Sequence, residues 1–475
     1  MKKYLNTAII LAFMILFGFL PPIGALTPFG MQVLGIFLGC IYAWTKEIII
    51  WPCIAALILL ATVQGQNILS VIQICYGNQL IWQIMWVLIC CYSLEKIGLI
   101  PILGNWVASL KIVRKGPYWM LFAFWLASYI GNALTFANVA IVLILWSIFY
   151  KIMDQIGIRK YSAYANILMI GIAIFGYLGS VVPPYGLWPQ IISGMFVSMG
   201  YQDLPSFANY LLFTGVLSIV YFIAAIAITK FILRPKIDFD VSAILINEHT
   251  LTFSRTQKIA LASLALLVVF LILPQFLPKS GLIVTWMNNM GLTAGFIFIV
   301  LLLSALPSDT DASQKAINLA DVIKNGINWN TFFMLSTAFY IATLITSDST
   351  GILTVLKNIL TPMLGGRSGI ASIFILCVFG AMMTNCLNNV VSATLIIPVT
   401  LIFCTANNIN PTLMIMAYSV LLIQGCFLPS GSVLGGILHA NSAYLKAKDV
   451  YRYTLLFTLL LALLTALLCT FMPTF

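Results

Sequence analysis

Apolar runs of roughly 16 to 20 residues, separated by short polar breaks, recur along nearly the whole chain, and about 20 apolar residues on a helix fill one bilayer crossing. The pattern predicts crossings at Ala8 to Leu26, Phe29 to Trp44, Ile48 to Val63, Leu80 to Leu94, Phe207 to Leu233, Ile259 to Leu277, Gly291 to Leu306, Thr331 to Ile345 and Leu455 to Met472. The start, Met1-Lys2-Lys3 and an apolar run, has the outline of a signal peptide. Its apolar length is that of a full crossing and no A-x-A site follows, so it reads as a retained first helix.

Four segments depart from this pattern. Residues 118–150 and 370–406 are too long for one crossing, barely long enough for two, and polar in the middle. Each either crosses twice or dips in and returns. Residues 163–196 and 411–441 are also over-long, and Pro183-Pro184-Tyr185-Gly186 and Pro429-Ser430-Gly431 interrupt them. A helix broken at membrane depth and crossing once is the expectation.

Charge arbitrates, because Lys and Arg gather on the cytoplasmic side. With a cytoplasmic amino terminus and one crossing per broken helix, only Lys279, Lys357 and Arg367 of the 23 basic residues fall outside. Two crossings per broken helix would move Lys230, Arg234, Lys236, Arg255, Lys258, Lys315 and Lys324 to the outer side. The expected architecture is therefore an all-α polytopic membrane protein with about eleven transmembrane helices plus two re-entrant hairpins, its carboxyl terminus outside.

The same order of parts occurs twice. Gly98-Leu99-Ile100, Asn138 and Gly186 in the first half are matched by Gly351-Ile352-Leu353, Asn389 and Gly431 in the second. Each unit has an odd number of crossings, so the copies are expected to lie in opposite orientation as an inverted repeat. The organisation is an additional helix at 1–27, a first repeat at 28–235, a polar cytoplasmic link at 236–258 and a second repeat at 259–475. The basic stretch at 97–115 and its counterpart at 351–364 read as helices along the membrane surface, or as ordinary loops.

Composition agrees, with 62% hydrophobic and only 7% charged residues. A water-soluble globule needs about a quarter of its residues charged. The net charge of +11 fits membrane orientation, and a nucleic-acid partner is not expected. Most of the ten cysteines lie inside apolar runs as small hydrophobes, so no disulfide framework is expected.

No H-E-x-x-H, Walker lysine loop or G-x-S-x-G is present, so an enzyme is not expected. A metal site built on His249 and His439, the two histidines, is not expected either. What remains are polar clusters at membrane depth: Asn132, Thr135 and Asn138 in the first hairpin, and Thr384, Asn385, Asn388, Asn389, Ser392 and Thr394 in the second. Such residues either glue helices together or line a site. Their occurrence in matched halves beside matched breaks favours a site.

Helix breaks expose carbonyls that suit a small cation and half-helix amino ends that suit an anion. Residues 116–150, 161–202 and 368–445 contain no Asp, Glu, Lys or Arg. An anion entering there meets only dipoles unless cations accompany it, which gives cation cotransport an electrostatic reason and disfavours proton coupling through a buried carboxylate.

Several segments resemble the divalent anion:sodium symporter family, the dicarboxylate, citrate and sulfate carriers of the wider ion-transporter superfamily. They are Trp44-Thr45-Lys46-Glu47-Ile48-Ile49-Ile50, Leu94-Glu95-Lys96-Ile97-Gly98-Leu99, Asn388-Asn389-Val390 running on to Leu395-Ile396-Ile397-Pro398, and Pro429-Ser430-Gly431-Ser432 running on to Ala443-Tyr444-Leu445. The resemblance implies an elevator-type carrier, a homodimer in the plasma membrane, with sodium as coupling ion and no other cofactor. It implies one sodium site at Asn138 with the backbone around Ala133, Ala137 and Gly186. A second would use Thr384, Asn389 and the backbone around Asn388 and Gly431. The solute would meet Asn138, Val139, Asn388, Asn389, Val390, Pro183 and Ser432.

Ala137 and Val139, and Asn388 and Val390, stand where the family has Ser and Thr, and Leu187 where it has Thr. Each lost hydroxyl removes a hydrogen bond of about 0.5 to 1.5 kcal/mol. Bulky Tyr185 and Trp188 point the same way, toward a smaller or less polar organic anion. The expected partners are thus a small anionic solute, sodium ions and the lipid bilayer. The competing expectations are a carrier of the same fold working by exchange or with protons, and a non-transporting scaffold or receptor. A channel is disfavoured, because no ring of charges or filter-like sequence occurs.

Overall fold

The computed structural model describes residues 2–46, 48–64, 67–99, 111–135, 137–244, 253–275, 277, 281–309, 313–364 and 369–472, and among these the regular secondary structure is helical apart from one isolated bridge between Pro307 and Lys315. The first half comprises α1 (Lys2–Leu11, continued to Phe19 by irregular turns), α2 (Pro28–Thr45), α3 (Ile50–Gln64), α4 (Ile68–Tyr76), α5 (Gln79–Lys96), α6 (Pro117–Thr135), α7 (Asn138–Ile156), α8 (Ala163–Val181), α9 (Leu187–Ser198) and α10 (Phe207–Ala227, continued to Leu233). The second comprises α11 (Arg255–Ile272), α12 (Leu282–Ala305), α13 (Leu319–Gly326), α14 (Trp329–Thr346), α15 (Ile352–Leu364), α16 (Gly369–Cys386), α17 (Asn389–Ala406), α18 (Pro411–Leu421), α19 (Val433–Ala440) and α20 (Ala447–Phe471). Among the described residues nine helices are long and apolar enough to cross a membrane, or ten if the α4–α5 pair, bent by 51°, is one span. The chain is an all-α polytopic membrane protein.

Polar caps punctuate the apolar sequence. Asn67, Asn78, Ser162, Ser206, Asn318, Asn328 and Asn410 each accept from a first-turn N–H of the helix that follows, satisfying donors that a helix start leaves free. Ser254 and Gln257 form a capping box on α11.

Some boundaries differ from the hydropathy reading. The first helix covers Lys2–Phe19 instead of Ala8 to Leu26, since Pro21-Pro22 cannot continue it. Two short helices, α4 and α13, precede α5 and α14, and α12 is bent at Gly291 (φ 59°, ψ −169°). Of the amphipathic stretch at 97–115, residues 100–110 lie outside the described residues, while α15 forms in the matching stretch.

The two halves share one element order. The pairs α2/α3 and α11/α12, α4/α5 and α13/α14, hairpins α6/α7 and α16/α17, broken helices α8/α9 and α18/α19, and closing helices α10 and α20 correspond. Contacts between halves come in exchanged pairs: α5 on α12 with α14 on α3, α9 on α18 with α19 on α8, and α10 on α18 with α20 on α8. Within each half the hairpin's first helix packs on its broken helix, α6 on α8 and α16 on α18. Gly98 and Gly351, matched on sequence alone, share a left-handed backbone (φ 74° and 69°), which glycine adopts without a Cβ penalty where a helix must turn sharply.

Candidate functional site

The second hairpin ends α16 at Cys386 and starts α17 at Asn389. Ending there leaves the Thr384 carbonyl in the last turn, where helices lack internal donors and carry partial negative charge. Facing it, α18 stops at Leu421 and the chain stays non-helical to Ser432. Thr384 Oγ1 donates toward Leu422 O (2.5 Å) and Asn389 Oδ1 (2.8 Å), and Asn389 Nδ2 donates to Ile423 O (3.2 Å). Asn385 Oδ1 accepts from Phe427 N at 2.8 Å. Hairpin side chains thus replace the helical partners that the unwound segment gives up.

This packing crowds oxygens around Gly425 and Gly431. A Cβ placed on Gly425 would stand 2.6 Å from Asn389 Oδ1, 2.6 Å from Thr384 O and 2.8 Å from Gly431 O. One on Gly431 would stand 2.7 Å from Gly425 O and 3.1 Å from Thr384 O. The donor set is all oxygen and without formal charge, the chemistry that suits a hard small cation. Thr384, Asn389 and Gly431, three of the four positions expected for the second cation site, are therefore assembled in one place. Asn388 instead caps α17 through Val390 N (3.0 Å), and Ser432 caps α19 through Gly435 N (3.0 Å). Val390 is buried beside them.

The first hairpin turns between Thr135 and Asn138, with Phe136 outside the described residues. Asn132 Nδ2 donates to Ser128 O (2.8 Å) and Thr135 Oγ1 to Gly131 O (2.7 Å). Asn132 Oδ1 and Asn138 Oδ1 are buried without a hydrogen-bond partner among the described residues, as is Ser392 Oγ one turn into α17. Such atoms are rare in packed interiors and cluster where a ligand or water completes them. Gly186 caps α9, its N–H bonded to Pro183 O at 2.9 Å, and Pro183 is buried. Ala133, Ala137 and Val139 are half-buried around the turn, and no described hydrogen bond joins Asn138 to Gly186.

The first break, 182–186, is much shorter than the second, 422–432. The unwound second segment and the start of α19 lean on the first half: Gln424 Nε2 donates to Ile174 O (3.3 Å) and Leu434 N to Tyr177 OH (3.1 Å).

Two cavities flank the pair α5 and α14. The larger, about 1280 Å³, is lined by the α4–α5 break (Asn78, Gln79), the end of α14 (Thr343, Thr346), the base of the second hairpin (Leu401, Thr405) and α9, where Gln190 bonds to Gln83 and to Pro184 O. The smaller, about 520 Å³, is lined by the α13–α14 break (Gly326, Asn328), the end of α5 (Leu88, Glu95) and the tip of the first hairpin (Thr135, Ala137). Glu95, exposed at the end of α5, lines this smaller cavity with the first hairpin tip, while no residue of the breaks at 182–186 and 422–432 lines it. The charge-free windows in the chain do not count a side chain that α5 delivers from outside them. Gly425, the carbonyls of Leu422 and Ile423, and Glu95 are the residues sequence reasoning missed. Gln424-Gly425 inside an apolar run was the available signal.

No protein-family model matches the chain, and no curated protein matches it in sequence. Among solved structures it is similar to the crystal structure of the YdaH transporter of Alcanivorax borkumensis, described as having an unusual topology. The TM-score is 0.58 at 14% identity, over 84% of this chain and 85% of that one. The chain thus has the fold of a membrane transporter.

Proposed function

We propose that the protein is a secondary carrier that moves a small organic anion together with sodium across the bacterial plasma membrane. The observation that carries this reading is the set of oxygens from Thr384, Asn389, Gly425 and Gly431 crowded around two glycines at a hairpin tip beside an unwound helix. Uncharged oxygens gathered this closely offer a hard cation several ligands at once. An anion drawn to the adjacent half-helix ends then gains the countercharge that the surroundings lack. The likeness to a transporter fold and the resemblance to the divalent anion:sodium symporters support transport.

An elevator motion is part of the reading. The matched ends of α5 and α14 see different parts of the matched hairpins, a tip beside Glu95 and a base beside Thr343. A hairpin-bearing body displaced along a fixed α5/α14 pair accounts for that difference.

The test is uptake of labelled succinate, benzoate and sulfate into proteoliposomes, with sodium replaced by choline. Uptake of at least one anion is expected to fall at least tenfold without sodium, and Asn389→Ala to behave like choline. Uptake indifferent to sodium would instead favour the proton-coupled or exchanging carrier, to which the missing hydroxyls at Ala137 and Val139 and the nearness of Glu95 to the first tip lend weight.

A further inference from the structure

The two cavities differ in the charge of their walls. Among the residues lining the larger one, Lys357 of α15 is the one formal charge, set among neutral groups such as Asn78, Gln83, Asn288 and Thr343. Lys357 is exposed and has no ion partner among the described residues. Asp203 and Asp348 neighbour the wall residues Leu204 and Ser347 in the chain but do not themselves line the cavity. In the smaller cavity Glu95 is the one charge in the wall. Its sequence neighbour Lys96 turns to Asp321, 3.5 Å away, and so does not neutralise it. Glu95 shares this cavity with Thr135 and Ala137, on either side of the turn that holds the unpartnered Asn132 and Asn138 oxygens.

A water-filled cleft with low-dielectric walls concentrates the field of a single charge, raising the local concentration of counter-ions and lowering that of co-ions. We propose that Lys357 and Glu95 are sorting residues. Lys357 draws anions into the larger cavity, whereas Glu95 draws cations to the first hairpin tip and keeps free anions from re-entering on its side. The inference rests on the carrier reading, because sorting matters only if ions traverse both cavities. It adds a consequence that this reading does not contain: affinity for the anion differs between the two faces of the membrane.

The potential can be measured without knowing the solute, by comparing modification rates with anionic and cationic methanethiosulfonates of similar size on full-length protein in proteoliposomes. Thr343→Cys reports on the larger cavity. The smaller already carries a reporter, Cys91, which lines it one helical turn before Glu95. Coulomb's law for unit charges about 8 Å apart in water gives about a fivefold difference between reagents of opposite sign, and more in a narrow cleft.

The anionic reagent is expected to win at Thr343→Cys and the cationic one at Cys91, with Cys91→Ser as background. Lys357→Gln should abolish the first preference only, and Glu95→Gln the second only. Circular dichroism and the modification rate with a neutral reagent show that each variant is folded and accessible. Ratios that ignore these substitutions, or a cationic preference at Thr343→Cys set by Asp348, overturn the inference while leaving carrier function standing. Ratios as expected in a protein that takes up no anion overturn the carrier reading instead.

Discussion

Asn389 and Gly425 meet so closely that each restricts the other. A Cβ on Gly425 would fall 2.6 Å from both Asn389 Oδ1 and Thr384 O, neither of which can withdraw without breaking the bonds of Thr384 and Asn389 to the unwound segment. Gly425→Ala is therefore expected to cost about 1–3 kcal/mol, as overpacked sites do, and to remove any thermal stabilisation by sodium. Gly369→Ala, where a Cβ finds no atom nearer than 3.9 Å, serves as the control and should leave both unchanged. A second residue-scale prediction separates structure from function at the first tip. Burying Asn138 Oδ1 without a partner is a desolvation cost, on the order of 1 kcal/mol or more, that an apolar side chain of similar shape does not bear. Asn138→Leu should then hold or raise the melting temperature while cation-dependent uptake falls at least tenfold. If uptake survives, the unpartnered oxygen is not part of the transport path.

At the scale of elements, much of the architecture can be read from the chain, for a physical reason in each case. Both hairpins and both breaks announce themselves because Asn, Gly and Pro in apolar surroundings disrupt helices in ways hydrophobic neighbours cannot repair. Gly98 and Gly351 mark equivalent turns because their positive φ excludes most other residues. The extent of the second break is not legible. Ile423, Cys426, Phe427 and Leu428 are ordinary helix residues, yet they lie outside the helix, where Asn389 and Asn385, distant in sequence, bond the backbone of Ile423 and Phe427. Glu95 was hidden for a related reason, since only tertiary packing brings it into one cavity wall with the first tip.

The start of α11 offers an element-scale prediction in the polar region outside the spans. Asp309 accepts from Ser254 Oγ at 2.6 Å and from Thr256 N at 3.3 Å, and these bonds, with Arg255 nearby, hold its carboxyl below the usual range. A carboxyl depressed on folding stabilises above its unfolded value, about 3.9, and that help is lost as pH falls through the lower folded value. Amide exchange in the first turn of α11, measured relative to the intrinsic rate at each pH, should therefore quicken below about pH 4. Asp309→Asn should quicken it already at neutral pH and remove the acid-dependent step. An unchanged pH profile in the variant would show that the cap does not hold the helix end.

For the whole molecule, the exchanged contacts between halves outline the second state that the proposed carrier would adopt. If two repeats of the same elements are related by a pseudo-two-fold axis, the contacts one half makes now are available to the other half after displacement. Today the end of α5 faces the first hairpin's tip, whereas the end of α14 faces the second hairpin's base. Exchanging the halves places the second tip, at Asn388, against the end of α14, at Thr343, and withdraws Ala137 from Cys91. A bifunctional thiol reagent should accordingly join Cys91 to Ala137→Cys in the state seen here. In a Cys91→Ser background it should join Thr343→Cys to Asn388→Cys only when the hairpin body has travelled. A carrier in motion yields both products, and trapping either one should stop uptake. Since an elevator requires the two pairings to be mutually exclusive, a molecule carrying both cross-links at once would rule the mechanism out while leaving the fold intact.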